Sequence, residues 1–130
     1  MRIAWSFILL SLLLLSCGRN DAKMQRELPG TWVAVFPNGV QSTVVVNADG
    51  SYSCQHTRLT NGVTLSRIEG TIQIRDGLLI DTVTKHSSTN AKVPFMSTNI
   101  IVHMNKNEIV EIEVGEFSSG KPVTLKKVQK

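Results

Sequence analysis

The sequence predicts an all-β protein, an antiparallel up-and-down barrel of eight strands over residues 28–130. Three observations carry that expectation. From Thr31 onward apolar residues recur with period two, as in a strand with one face on a core. Turn signals interrupt the alternation at short intervals: Pro37-Asn38-Gly39, Ala48-Asp49-Gly50, Thr60-Asn61-Gly62, Arg75-Asp76-Gly77, Asn105-Lys106-Asn107 and Ser118-Ser119-Gly120. Asn-Gly and Asp-Gly are strong hairpin signals because both turn residues must tolerate positive φ. With a longer connection around Ser87–Pro94 there are seven connections, hence eight strands. Finally, each strand can be assigned an apolar face, and a closed barrel removes the edges that an open sheet would expose. No helical period exceeds two turns, which excludes a parallel βαβ architecture.

Composition fits a single domain. The 130 residues are 42% apolar and 18% charged, enough for one core and too little charge for a disordered tail. Aromatics are only 5%, and the net charge of +4 is spread thinly, so no nucleic-acid partner is expected. Two cysteines cannot build a disulfide scaffold.

Residues 1–16 read as a signal peptide. Arg2 provides a positive start, and Ile3–Ser16 is an uncharged, leucine-rich run of 14 residues. A membrane-spanning helix needs ~20 residues, whereas a signal peptide's apolar region needs ~7–15. Residues 17–27 are polar, and Asp21–Leu28 can form two helical turns capped by Asn20 or Asp21 and stopped at Pro29-Gly30. The stretch from Gly18 to Lys23 reads as a tether.

The strands follow in order. Trp32, Ala34 and Phe36 are expected to face inward on the first, Val44 and Val46 on the second, and Tyr52 and Cys54 on the third. Ile72 and Ile74 end the fourth strand, and Leu78 and Ile80 begin the fifth. Ile100, Val102 and Met104 serve the sixth. On the seventh, Glu108–Val114, the alternation puts Val110, Ile112 and Val114 inward and Glu111 and Glu113 outward. Leu125 closes the set.

Leu14-Leu15-Ser16-Cys17 resembles the bacterial lipobox, which implies cleavage before Cys17 and acylation there, on sulfur and on the new amino group. Leu15 departs from the small residue usual at that place. Removing 16 of 130 residues leaves 114, with 13 basic and 10 acidic residues. Two or more acyl chains, palmitate among them, hold a protein stably on a bilayer, whereas one does not. Lipidation of Cys17 also leaves Cys54 without an intrachain partner.

Within the domain, Leu28-Pro29-Gly30-Thr31-Trp32 resembles the Gly-x-Trp opening of lipocalin-like barrels. Ala48-Asp49-Gly50-Ser51-Tyr52, Glu69-Gly70-Thr71-Ile72 with Asp76-Gly77-Leu78-Leu79, and Thr124–Val128 are similar to later segments of small bacterial lipocalin-like lipoproteins. Ile72 stands where an aromatic is commoner, and Lys127 where an arginine is usual. The resemblance implies a lipoprotein of the bacterial cell envelope, on the outer membrane facing the periplasm in a Gram-negative host, monomeric and membrane-attached through its lipid anchor. It implies structural roles for Gly30, Trp32 and Lys127. The family's arginine stacks on its tryptophan, so the Lys127 ammonium is expected within ~6 Å of the Trp32 ring.

Chemistry is sparse. Cys54 and His56 share a face, but a nucleophile–base pair or a zinc site needs further groups that the pattern does not bring together. No enzyme, cofactor or metal is expected. Tyr52, His56 and Arg58 share one parity. An inward Arg58 suits a carboxylate, while an Arg58 at the rim is solvated. The basic residues Lys126, Lys127 and Lys130 suit anionic headgroups or a solvated strand end. The expected function is binding of a small apolar or amphipathic ligand, its polar end on His56 and Arg58 and its apolar end on Phe36, Val44 and Ile100. The alternative is a packed barrel that acts through its surface, as an inhibitor or an envelope structural component. Cavity volume separates the two, since ligand pockets run ~300–1,000 Å³.

Overall fold

A computed structural model describes residues 20–116 and 118–130. The expected signal peptide and Cys17 lie outside them. A helix over residues 20–27 precedes eight strands: β1 (Gly30–Val35), β2 (Val40–Val46), β3 (Ser51–Arg58), β4 (Thr64–Arg75), β5 (Leu78–His86), β6 (Phe95–Met104), β7 (Glu108–Val114) and β8 (Val123–Lys127). The helix takes in residues 20–23, expected as tether. Each strand pairs antiparallel with the next, and β1 pairs with β8, so the barrel is closed. All seven connections fall where the turn residues indicate. In the tightest of them Asp76 and Gly77 both have positive φ, 54° and 72°, as a two-residue hairpin requires.

The barrel has a closed end and an open end. At the closed end lie the start of β1, the end of β8, and the hairpins β2–β3, β4–β5 and β6–β7. The helix docks there. Asp21 accepts hydrogen bonds from the Asp76 and Gly77 amides at 2.7 and 3.0 Å, and Gln25 Oε1 accepts one from the Ile74 amide at 2.7 Å. Beneath the helix, Leu28, Trp32 and Ile109 are fully buried. Trp32 Nε1 donates to the Leu28 carbonyl at 2.8 Å. Lys127, paired with Trp32 across the β1–β8 seam, donates from Nζ to the Glu27 carbonyl at 2.7 Å. Its Nζ lies 4.7 Å from the Trp32 ring centroid, the expected cation–π contact. One lysine thus caps a helix-end carbonyl and covers the floor tryptophan.

Gly30 and Gly70 are dictated by close approach. Gly30 has φ 139°, and a Cβ there would stand 2.9 Å from Lys127 Cε. A Cβ on Gly70 would stand 1.9 Å from the Thr82 carbonyl oxygen. At Gly70 the β4–β5 register shifts, so that Gly70 pairs with Val83 and Glu69 with Lys85.

Faces on β1–β4 and β8 are as expected, but three strands differ. On β5 the inner residues are Leu79 and Asp81; Leu78 is half-buried, and the buried Ile80 pairs with the exposed Gln73 outside the interior. On β6 Asn99 and Ile101 point inward, while Ile100 is 46% exposed and Val102 is exposed. A register irregularity between Ile101 and His103 then restores Met104 to the core side. On β7 the inner residues are Ile109 and Glu111, while Val114 is exposed. Val110, Ile112 and Val114 therefore lie outside and Glu111 inside, the reverse of the apolar-inward rule. That rule fails because β5 to β7 carry apolar residues on both faces and Asp81, Asn99 and Glu111 on the inner one.

Candidate functional site

Above the packed floor the barrel encloses a cavity of about 220 Å³. Its lower wall is apolar: Trp32, Val44, Val46, Ile72 and Leu79, with Leu125 beside them. Polar groups join the rest of the wall, beside Phe36, Ile68 and Val123. Ser42 comes from β2, Cys54 and His56 from β3, Asp81 from β5, Asn99 from β6 and Glu111 from β7. Among the described residues that line it there is no lysine or arginine.

Hydrogen bonds tie most of these groups in place. The Tyr52 hydroxyl donates to Asp81 Oδ2 at 3.1 Å, reaching from β3 to β5 over Gly70, which has no side chain to obstruct it. Cys54 Sγ lies 3.3 Å from Ser42 Oγ and 3.8 Å from His56 Nε2, and His56 Nδ1 is 2.8 Å from Ser66 Oγ. Two acceptors remain over. Asp81 Oδ1 and Glu111 Oε2 are buried and have no hydrogen-bond partner.

Burial controls the titration of every group here. It pushes the Glu111 carboxyl up to about 7, with the charges of Asp81 and Glu113 adding to the shift. It raises Asp81 as well, against the pull of the Tyr52 hydroxyl, of the Asp81 backbone and of Ser97, its cross-strand neighbour on β6. The Tyr52 hydroxyl is raised by burial and by the Asp81 charge, so it remains a donor. Burial raises the Cys54 thiol and lowers His56, leaving a neutral thiol beside a neutral imidazole at pH 7. A cysteine nucleophile requires the opposite shift. Among the described residues, no group of three or more His, Cys, Asp or Glu is placed to hold a metal.

Of the residues singled out from sequence, Phe36, Val44, Tyr52 and His56 line the cavity together. Arg58 does not; it is exposed at the open end of β3, with the rim position the parity argument left open. Ile100 does not either, because it stands on the outer face of β6. The polar face therefore does not belong to one strand. Asp81, Asn99, Glu111 and Ser42 were missed, and two of them had a signal. In a two-residue turn at Asp76-Gly77, Ile74 faces Leu79, and cross-strand partners share a face. An inward Ile74 thus requires inward Leu79 and Asp81. By the same logic Met104 faces Ile109, which brings Glu111 inward.

The cavity communicates with the open end. A groove there, about 580 Å³, shares Phe36, Asn99, Glu111 and Val123 with the cavity and adds Glu113 and Lys121. Compared with family models and with curated proteins, the sequence has no match.

Proposed function

We propose that this chain is a membrane-anchored, lipocalin-like lipoprotein of the bacterial envelope that holds a small ligand inside its barrel without catalysing a reaction. The observation that carries the ligand reading is the cavity of about 220 Å³ inside the barrel, mostly apolar with a few polar groups in its wall and bordered by the groove at the open end. An eight-stranded barrel has an interior that is either filled by side chains or holds one small ligand. This one is filled only at its floor. The neutral thiol and imidazole support a binding role over a catalytic one. The anchor rests on Cys17 and the apolar run before it.

Native mass spectrometry of protein drawn from its host membrane tests the ligand reading. A small molecule retained at one per chain, and released on unfolding, is the expected result. A chain that carries nothing and takes up no small probe would defeat it.

One observation favours a second reading. The cavity is smaller than the ~300–1,000 Å³ of most ligand pockets, and Ile100, Val102 and Val114 are exposed on the outer wall. A barrel acting through that wall would keep its partner when the cavity is blocked by Ser42→Phe, and a ligand carrier would lose its ligand.

A further inference from the structure

We propose that the ligand is a small organic amine, its cationic head held between Asp81 and Glu111 and its short apolar body on the floor of the cavity. This rests on the ligand-holding reading and adds the chemistry of the ligand to it.

Two unpartnered acceptors stand in the cavity wall. Buried polar groups in folded proteins nearly all find partners, and an unmet buried acceptor is costly. Here two remain, Asp81 Oδ1 on β5 and Glu111 Oε2 on β7, on either side of the strand that supplies Asn99. Carboxylates accept and do not donate when ionised, so what is missing is a donor. The protein provides none with a positive charge: no lysine or arginine lines the cavity, and His56 is buried neutral with Ser66 and Cys54 beside its two ring nitrogens. An ammonium group has three donors, no acceptor and the opposite charge. A fatty acid would bring another carboxylate to two already present. A hydrocarbon would leave both acceptors unmet.

Size and polarity set the rest of the molecule. The cavity below the groove equals about seven waters at ~30 Å³ each, too little to enclose a long acyl chain within the barrel. Below the carboxylates, Trp32, Val44 and Leu79 accept an apolar body. At the mouth the exposed Glu113 and Lys121 carry opposite charges, so the selection for a cation falls to the two carboxylates inside.

The same geometry couples binding to pH. The titratable groups facing Glu111 are Glu113 on its own strand, Asp81 on β5, Tyr52, Cys54 and His56 across the barrel on β3, and, at the mouth, Lys121 from the connection into β8; β6, β8 and β1 present only Asn99, Ile101, Val123 and Phe36. With Glu111 titrating near 7, an amine binds its ionised form and displaces a proton into solvent. Affinity therefore rises from pH 6 to pH 8.

Three probes of similar shape test the proposal: phenethylamine, 3-phenylpropionate and propylbenzene. Each is titrated calorimetrically into the full-length chain as it accumulates in the cell. Phenethylamine should bind at least about tenfold tighter than the other two, with tighter binding at pH 8 than at pH 6. Glu111→Gln and Asp81→Asn keep the shape of the wall. Each should weaken phenethylamine about tenfold or more and leave propylbenzene unchanged. Tighter binding of propylbenzene or of 3-phenylpropionate overturns the amine and leaves a ligand-holding barrel. Phenethylamine affinity unchanged in both variants also overturns it. Binding of none of the three overturns the amine and the cavity reading together.

Discussion

Glu111 is the residue whose ionisation bears most directly on the fold. Its carboxyl binds a proton more tightly folded than unfolded, since burial pushes it from 4.5 to about 7. The native state therefore holds more protons than the unfolded state between those values. Stability contributed by the protonated form is complete below about pH 4.5 and is lost as pH rises toward 7. Asp81, also raised, acts in the same direction, while His56, lowered by burial, opposes them as pH rises toward 7. Urea titrations should thus find the protein less stable at pH 7.5 than at pH 5, by on the order of 3 kcal/mol at most from Glu111. Glu111→Gln should flatten that slope; a slope unchanged in the variant would mean that other groups produce it. At the floor, Trp32→Ala should cost ~3–5 kcal/mol, because it empties the most enclosed side chain of the core. Lys127→Met keeps the length of the side chain but removes the charge over the ring and the bond to the Glu27 carbonyl. It should cost about 1–3 kcal/mol in the same assay.

Among the elements, β4 and β5 carry the tightest constraint. A methyl group on Gly70 would collide with the Thr82 carbonyl, so β5 would have to move away. Gly70→Ala should destabilise the barrel by about 1–3 kcal/mol and lower its Tm by roughly 10 °C. Because Tyr52 reaches Asp81 over Gly70, the variant should also disturb the cavity wall; a melting curve equal to wild type would show that the strands yield without cost. The turns were legible in the sequence because Gly, Asn and Asp at hairpin tips answer to local backbone sterics. The helix, the floor tryptophan and the β1–β8 seam were legible for similar reasons. The inner face of β5, β6 and β7 was not. There the assumption that apolar residues point inward gave the wrong parity, since Leu78, Leu79 and Ile80 are apolar in succession and β7 hides a glutamate. Hairpin register, carried across from Ile74 and Met104, decides the face correctly. The Met104 turn and the irregularity at Val102 also show why counting by twos along β6 fails midway.

For the molecule as a whole, attachment and architecture bear on each other. If Cys17 carries the lipid, Cys17→Ser should abolish labelled fatty-acid incorporation and move the protein into the soluble fraction. A wild type equally soluble and unlabelled would end the anchored reading. On that reading, only two residues, Gly18 and Arg19, separate the acylated position from the helix that begins at residue 20, a reach of at most ~10 Å. The helix sits under the closed end, held by Asp21 and Gln25 to β4 and the turn after it. The barrel then stands on the bilayer like a cup on its base, with its rim toward the water. A lipid-embedded quencher should reach a fluorophore placed at Asp49 in the β2–β3 turn and miss one at Asn61 in the β3–β4 turn. A cup held this way would fill and empty on the aqueous side, so a ligand of such a barrel would be something dissolved in the compartment and not something drawn sideways from the membrane.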